Sequence, residues 1–216
     1  MTTNATKIAV IAANGKSGSA IVQEAVDRGL DVTAIVRGEN KTAAQHAITK
    51  DLFDLTAADL AGFDVVVDAF GAWAPEALPQ HSTSLKHLAD ILSGTDTRLI
   101  VVGGAGSLYV DADHTTQLYD TAGFPDEYKP LAKAQGKALA ELRGRDDVKW
   151  TFVSPAADFQ ADGPRTGKYA LAGEEFTTNE AGESAVSYAD YAIAIVDEAV
   201  APAGKAHVGE RISVRW

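Results

Sequence analysis

The sequence contains no cysteine, and no apolar run in it approaches the length of a membrane-spanning helix. The lack of cysteine excludes disulfides and thiolate metal sites. A transmembrane helix needs roughly 18 consecutive apolar residues. Basic residues are also scarce, with 19 lysines and arginines against 30 acidic residues and a net charge of −11. This charge balance opposes nucleic-acid binding, because a phosphate backbone favours clustered positive charge.

The start of the chain and its composition indicate one compact unit. The segment before Lys7 is short and polar and leaves no room for a signal peptide, which predicts a cytoplasmic protein. With 216 residues, 46% of them hydrophobic, the chain can bury one good core. No linker, internal repeat or low-complexity tract divides it. We therefore expect a single domain over residues 1–216.

Residues 8–18 combine a short apolar run with two glycines, Gly15 and Gly18, three positions apart. The run is rich in β-branched residues, as in a strand buried on both faces. An amphipathic helix follows, and residues 31–36 form the next strand. A strand, a glycine turn and a helix within about thirty residues are typical of a dinucleotide-binding unit. In such a unit the free N–H groups of the helix N-terminus bind the pyrophosphate.

The glycine pattern itself is A-x-x-G-x-x-G, because Ala12 stands where the full motif has its first glycine. Alanine can still make the turn without strain if its φ stays negative, so Ala12 weakens the motif without cancelling it. A nucleoside-triphosphate loop is disfavoured, since Val10 occupies the position five residues before Gly15 where that motif needs glycine. A structural turn without a ligand remains the alternative.

Strands and helices alternate along most of the chain. We expect further strands at residues 46–50, 64–68, 97–102, 148–154 and 206–214, two strand-like pieces at 168–171 and 185–188, and helices at 79–93, 125–143 and 189–200. This alternation predicts an α/β fold with a doubly wound parallel sheet and right-handed crossovers. We expect residues 156–188 to form a small substrate-side lobe. The long loop at residues 108–124 is a candidate for covering a ligand.

Ligands in such sheets bind beyond the carboxyl ends of the strands. The predicted cofactor residues at this edge are Ala12, Asn14, Gly15, Lys16, Ser17, Gly18, Arg37, Asp51, Leu52, Ala69, Phe70, Gly71, Gly103, Ser154, Pro155 and Ala156. An acidic residue at the end of the second strand would select NAD, but Arg37 stands there. Arginine binds a 2′-phosphate well, and Lys16 and Lys41 add positive charge, so we expect NADPH to be preferred over NADH. An ordinary surface role for Arg37 is the alternative.

The sequence carries none of the familiar catalytic arrangements. Short-chain reductases use Tyr-x-x-x-Lys as proton donor, but none of the six tyrosines is followed by lysine at that spacing. The nearest pair is Tyr128 and Lys133, which a spacing of five puts on different faces of a helix. No Ser-His-Asp set, no nucleophile elbow and no zinc-binding histidine pattern is present, so we expect no metal.

The candidate active-site residues are therefore chosen only by their predicted position near the carboxyl ends of the strands. Ser107 follows a glycine run and would bond a substrate carbonyl or the nicotinamide amide. Tyr128 flanks the long loop, where it would pack on a planar substrate. Lys133 would reach a nicotinamide ribose. Asp158 and Phe159 follow the sixth strand and would line the substrate side.

Six blocks in order along the chain carry a resemblance to a known family. They are IAANGKSG at residues 11–18, DVTAIVR at 31–37, DLFD at 51–54, VVGGAGSL at 101–108, WTFVSPAAD at 150–158 and DGPRTGKY at 162–169. In these blocks the chain resembles the NAD(P)H-binding, NmrA-like atypical short-chain dehydrogenases, in particular bacterial proteins named putative NADH-flavin reductases. The family usually has Gly-Ala-Thr-Gly where this chain has Ala-Ala-Asn-Gly, which bears on the tightness of pyrophosphate binding.

The resemblance implies a Rossmann-like fold of the extended or atypical short-chain dehydrogenase type, a bound nicotinamide dinucleotide and often no Tyr-x-x-x-Lys. It implies an NAD(P)H-dependent reductase of a small planar acceptor such as a flavin or quinone, which can take its proton from solvent. A non-catalytic redox sensor that binds NAD(P) and reports to a partner protein is the alternative. A sugar epimerase or dehydratase is a weaker one, since those enzymes use the absent tyrosine pair. Whether the protein is a monomer or a homodimer stays open.

Overall fold

The computed structural model describes residues 5–216, which form ten strands and five α-helices. The strands are β1 Lys7–Ile11, β2 Asp31–Val36, β3 His46–Thr49, β4 Val65–Asp68, β5 Arg98–Val102, β6 Lys149–Pro155, β7 Asp158–Gln160, β8 Ala170–Ala172, β9 Ala185–Ser187 and β10 Glu210–Arg215. The helices are α1 Lys16–Asp27, α2 Ala57–Leu60, α3 Gln80–Leu92, α4 Lys129–Leu142 and α5 Tyr188–Ala199.

Eight strands form one sheet in the order β3-β2-β1-β4-β5-β6-β10-β8. All neighbours pair in parallel except β8, which runs antiparallel to β10 at the edge. The direction of winding reverses between β1 and β4. The prediction of a doubly wound, mostly parallel Rossmann-like sheet is confirmed.

Two apolar layers sandwich this sheet. Helices α1 and α5 pack on one face with buried side chains that include Val22 and Ile195. Helices α3 and α4 cover the other face, where Leu88 and Leu139 are among the buried residues. Because helices cover both faces, β4 is buried along its whole length. The helices thereby leave the carboxyl edge of the strands free for a ligand.

Several element boundaries differ from the sequence prediction by one or more residues, and three of them have a clear local reason. Helix α4 begins at Lys129 rather than at 125, because residues 126–128 form a separate 3₁₀ turn. Strand β6 includes Pro155, which pairs with Val214 as the last residue of the strand. Strand β10 begins at Glu210 rather than at 206, because Gly209 has a φ of 76° that interrupts extended backbone.

Within residues 156–188, β7 and β9 form a small parallel two-stranded sheet beside the main sheet, whereas β8 belongs to the edge of the main sheet. The buried carboxylate of Asp190 on α5 ties this region down, since it accepts hydrogen bonds from the Thr166 and Gly167 amides at 3.0 and 2.9 Å. It also accepts from the indole of Trp216 at 2.6 Å. The sequence pattern does not predict β7, because a strand of three residues is too short to show a periodic pattern.

The long loop at residues 108–124 packs against residues 174–176. The Tyr109 amide donates to the Glu174 carbonyl at 2.9 Å, and the Phe176 amide donates to the Tyr109 carbonyl at 2.7 Å. The loop also contains a 3₁₀ turn at Leu118–Asp120. It is therefore an ordered segment with backbone partners of its own.

Candidate functional site

A cleft of about 640 Å³ opens at the carboxyl ends of the central strands. Its lining residues come from the β1–α1 turn, the ends of β2, β4 and β5, and helices α4 and α5. The cleft lies where the winding of the sheet reverses between β1 and β4. This is the position at which open α/β sheets bind their ligands.

The β1–α1 turn closes on itself through a hydrogen bond from the Gly15 amide to the Ala12 carbonyl, at 2.9 Å. Ala12 has a φ of 55°, in the left-handed region that favours glycine. The condition of a negative φ at Ala12 is therefore not met, because the closed turn holds the residue in the left-handed conformation. For alanine the left-handed conformation costs about 1 kcal/mol, and the turn holds it nonetheless.

Helix α1 approaches this turn closely through Gly18. A Cβ on Gly18 would lie 2.6 Å from the Ala12 carbonyl oxygen and 3.0 Å from the Ala13 Cα. Only glycine permits this packing. The helix begins after Gly15 with no side-chain cap, so its first N–H groups point free toward the cleft. Such a helix start is an anion site when a phosphate is present.

Two cations beside this turn, Lys16 and Arg37, line the cleft and form no ion pair with any residue in the range 5–216. The third cation of the cleft, Lys50, is different because it pairs with both carboxylate oxygens of Asp59 at 2.7 and 2.8 Å. Unpaired cations are notable in a chain with 30 acidic residues. Together with the free helix start, they suit a ligand that carries phosphate groups.

Residues 51–53 form the floor of the cleft below Arg37. The Asp51 carboxylate accepts from the Phe53 amide at 3.0 Å and so caps the short turn Leu52–Asp54. Leu52 is buried, whereas the ring of Phe53 is 41% exposed within the cleft. This combination provides an apolar surface with a carboxylate beside it, which suits a flat heterocycle with hydrogen-bonding edges.

The opposite end of the cleft is aromatic. The rings of Phe159 and Tyr188 lie with their centroids 3.9 Å apart, and Phe159 also meets the buried ring of Tyr191 at 4.9 Å. The Tyr191 hydroxyl donates to the Val153 carbonyl at 2.7 Å, which fixes this cluster to β6. Burial raises the pKa of the Tyr188 phenol, so it is protonated at neutral pH. We name Phe159 and Tyr188 the aromatic wall.

A loop with an exposed tryptophan borders the mouth of the cleft. Trp73 is 72% exposed and lines the cleft with Gly71. The neighbouring Ala72 is held by buried His81, whose Nε2 donates to the Ala72 carbonyl at 3.0 Å. Burial lowers the pKa of His81, which keeps the imidazole neutral in this role.

One ionisable group is buried at the end of β4. Asp68 accepts a hydrogen bond from the Phe70 amide at 3.0 Å. Burial raises its pKa to about 6, and the Phe70 bond opposes that rise only in part. Beside it lies a cavity of about 20 Å³, lined by Asp68, Ser84 and Gln135 among others. The cavity has room for one water molecule.

Twelve of the sixteen predicted cofactor residues line the cleft. They are Ala12, Asn14, Gly15, Lys16, Ser17, Arg37, Asp51, Leu52, Ala69, Phe70, Gly71 and Gly103. The other four are Gly18, Ser154, Pro155 and Ala156, all of which are buried beside it.

None of the three predicted catalytic side chains lines the cleft. Ser107 is buried, and its hydroxyl accepts from the Arg211 guanidinium at 3.0 Å. Tyr128 is half exposed, just before α4. The Lys133 amine lies over the ring of Tyr119, 5.7 Å from its centroid. A catalytic role for these three residues stays a prediction.

Several lining residues were not predicted, and the clearest case is Gln135. It shares a helical face with the buried residues Ala132 and Ala138, three positions to either side. A polar residue on an apolar helix face was the available signal. Tyr188 carried no comparable signal, because its place depends on the short strands of the lobe. Within residues 5–216, no cluster of metal-ligating side chains and no helix long and apolar enough to cross a membrane is found.

Comparisons with known proteins agree with this site. The family described as NAD(P)H-binding matches residues 12–201. The chain is 48% identical to the uncharacterized protein YwnB of Bacillus subtilis over 211 residues, which cover 96% of this chain and 97% of that protein.

Solved structures extend the likeness to three dimensions. SP1627 of Streptococcus pneumoniae, a putative NADH-flavin reductase, is 58% identical with a TM-score of 0.93 and covers 97% of this chain and 99% of its own. A putative epimerase from Bacteroides thetaiotaomicron is 33% identical with a TM-score of 0.83, over 98% of this chain and 97% of its own. The family match spans both the glycine turn and the aromatic wall. The chain therefore belongs to the family of NAD(P)H-binding proteins, and its cofactor is a nicotinamide dinucleotide.

Proposed function

We propose that this protein is an NADPH-dependent reductase of a small planar acceptor, such as a flavin or a quinone. The observation that carries the proposal is the continuity of the cleft, which runs from the glycine turn and its unpaired cations to the aromatic wall. NADPH is a long molecule that carries its 2′-phosphate near the adenine end, its pyrophosphate in the middle and the reactive nicotinamide ring at the other end. The two ends of the cleft match that distribution.

The cationic end favours NADPH over NADH. Strand β2 ends at Val36, and Arg37 follows at the position where an acidic residue would bond the ribose hydroxyls of NAD. The Arg37 guanidinium is exposed in the cleft and free to bind a 2′-phosphate by a bidentate contact. Lys16, at the start of α1, adds a second charge for the phosphates.

The aromatic end favours a planar acceptor. Phe159 and Tyr188 offer ring faces on which a flavin or quinone can stack. The protonated Tyr188 phenol can donate a hydrogen bond to an oxygen of the acceptor. When bound, the reduced dinucleotide supplies the hydride. The protein residues then position the two rings, and the proton comes from solvent.

The binding test is a titration with NADPH and NADH that follows tryptophan emission and heat. Trp73 is the exposed indole of the cleft, so the Trp73→Phe variant identifies its share of the signal. We expect NADPH to bind at least about tenfold more tightly, or about 1.4 kcal/mol. Arg37→Ala should remove this difference and leave NADH binding nearly unchanged. If calorimetry detects neither dinucleotide, the proposal is rejected.

A second variant tests whether the dinucleotide binds at the glycine turn. Gly15→Val should abolish dinucleotide binding, because a Cβ at Gly15 already lies 3.1 Å from the Ala12 carbonyl oxygen and the valine methyls add bulk at the turn. Gly123→Ala is the control, since no atom lies within 4 Å of its added Cβ. Unchanged affinity in the folded Gly15→Val protein would show that the cofactor lies elsewhere.

Turnover with flavins and quinones separates the reductase from the second candidate, a non-catalytic redox sensor. The sensor is favoured by one observation, namely that Ser107, Tyr128 and Lys133 do not line the cleft. Oxidation of NADPH that requires an added flavin or quinone supports the reductase. Tight dinucleotide binding without turnover on any acceptor of either class supports the sensor.

A further inference from the structure

We propose that Asn14 is a positioning residue that determines the preference for NADPH, by holding the segment after Arg37 against the glycine turn. The inference rests on the proposed function, since it concerns the phosphate end of the same cleft. Asn14 belongs to the turn, and Arg37 to the end of β2. The two are 23 positions apart in sequence and meet only at the edge of the sheet.

The Asn14 amide makes two hydrogen bonds to the backbone of this segment. Its Nδ2 donates to the Glu39 carbonyl at 2.8 Å, and its Oδ1 accepts from the Lys41 amide at 2.9 Å. One side chain thereby uses its donor and its acceptor on both sides of residue 40. The pair of bonds fixes both the distance and the orientation of the segment relative to the turn.

The two hydrogen bonds of Asn14 form a bridge, and the position of residues 38–41 relative to the turn depends on this bridge. Within the part of the chain that the structure describes, no other hydrogen bond links their backbone to the rest of the cleft. The Asn40 carboxamide bonds only Thr42, two residues further along the same segment. Gly38, Glu39 and Lys41 are all exposed, so burial does not hold the segment either.

The bridge affects the two cofactors differently. On the proposed function, Arg37 and the neighbouring Gly38, which both line the cleft, would meet a 2′-phosphate, and a preordered receptor binds it at a lower entropic cost. NADH lacks that phosphate, so on the proposed function its binding would depend mainly on the turn and the floor of the cleft. Loss of the bridge should therefore weaken NADPH binding and leave NADH binding almost unchanged.

Asparagine is suited to this task because it offers a donor and an acceptor without charge. Aspartate keeps an acceptor for the Lys41 amide but loses the bond to the Glu39 carbonyl. It also adds negative charge beside the phosphate site. Alanine loses both bonds. The side chain of Asn14 is exposed and belongs to no apolar cluster, so neither substitution disturbs the core.

The test measures Kd for NADPH, NADH and adenosine 2′,5′-bisphosphate in the wild type, Asn14→Ala, Asn14→Asp and Asn40→Ala. We expect Asn14→Ala to weaken NADPH and the bisphosphate about tenfold, which corresponds to the loss of roughly one to two hydrogen bonds at about 1 kcal/mol each. NADH should change less than about twofold by the same reasoning. Asn40→Ala should retain the wild-type ratio, because it leaves the bridge intact.

Hydrogen exchange supplies a readout that does not need a cofactor. The Lys41 amide should exchange faster in Asn14→Ala than in the wild type, while the amides of β1 and β2 stay protected. If the wild type prefers NADPH and Asn14→Ala keeps the same ratio of the Kd values for NADH and NADPH, the inference about Asn14 is overturned and the proposed cofactor choice stands. A wild type without preference overturns the proposed cofactor choice. An unchanged exchange rate at Lys41 overturns the bridge itself.

Discussion

The guanidinium of Arg211 holds Ser107 by two hydrogen bonds, donating from Nη1 to its carbonyl oxygen at 2.8 Å and from Nη2 to its hydroxyl at 3.0 Å. A third bond runs from Nε to the Ser154 hydroxyl at 3.0 Å. Burial lowers the pKa of Arg211 to about 10, so the side chain is still charged at neutral pH. A buried cation on β10 thus fixes the glycine-rich segment that follows β5.

Ser107→Ala should therefore affect stability more than binding. The variant removes one bond to a buried charged donor, which costs about 1–3 kcal/mol. Denaturant unfolding measures this loss, and the Kd for NADPH should change less than about twofold, because the side chain lies outside the cleft. Ser19→Ala, on the exposed side of α1, is the control. A loss of turnover at unchanged stability would instead support the catalytic role expected from the sequence.

Gly18→Ala should both destabilise the protein and weaken dinucleotide binding. The added Cβ would meet the Ala12 carbonyl oxygen at 2.6 Å, and backbone on both sides leaves little room to relax. Such overpacking costs about 1–3 kcal/mol and pushes α1 away from the turn. Thermal unfolding and NADPH titration measure the two effects. Equal melting temperatures for Gly18→Ala and the control Gly123→Ala would contradict the close approach of α1.

Asp68→Asn should stabilise the protein in a pH-dependent manner. Burial raises the pKa of Asp68 in the folded protein to about 6, above the usual value of an aspartate carboxyl, so folding favours the protonated carboxyl. The cost of keeping the buried carboxylate ionised is present above pH 6, at about 3 kcal/mol, and disappears as the pH falls below the unfolded pKa. The variant should thus melt higher than the wild type at pH 8 and equally at low pH. Exposed Asp113→Asn should show no such trend, and a gain that does not depend on pH would contradict the burial of an ionised Asp68.

Substitutions in the aromatic wall should change the acceptor and spare the cofactor. Phe159→Ala removes the stacking surface, for which we expect a KM for the acceptor about five- to tenfold higher, or about 1 kcal/mol. Tyr188→Phe keeps the ring and should have a smaller effect, limited to the lost hydrogen bond. Phe53→Leu is the matched control at the other end of the cleft, where only cofactor binding should change. If Phe159→Ala instead weakened cofactor binding and Phe53→Leu instead raised the KM for the acceptor, the proposed positions of cofactor and acceptor in the cleft would be exchanged.

The edge of the sheet could be predicted from sequence because its geometry follows from strand order. Once strands and helices alternate, the carboxyl ends of β1, β2, β4 and β5 must lie together, and their flanking residues line one cleft. Lys16 and Arg37 were found in this way although 21 positions separate them. The glycine turn also predicts where α1 packs closely on β1, since only glycine allows the approach seen at Gly18.

The remaining features of the candidate site depend on contacts that no local sequence pattern reveals. Ser107 looked like a free glycine-loop serine, but its partner Arg211 lies 104 positions further along the chain. Of the aromatic wall, Phe159 is expected from its place after β6, whereas Tyr188 is not, because the three-residue strand β7 that pairs with β9 before it gives no periodic signal. The positive φ at Ala12 could not be read from the sequence, because the closed turn, rather than the preference of alanine, determines it.

The two ends of the cleft have different relations to the linear sequence. The glycine turn, Arg37 and the floor at Asp51 all come from one continuous stretch, whereas the aromatic wall is supplied by the small lobe and α5. The residues at one end of the cleft can therefore be substituted without changing the residues at the other end. On the proposed function, a library confined to residues 156–188 should yield proteins that accept new oxidants while retaining the same reductant.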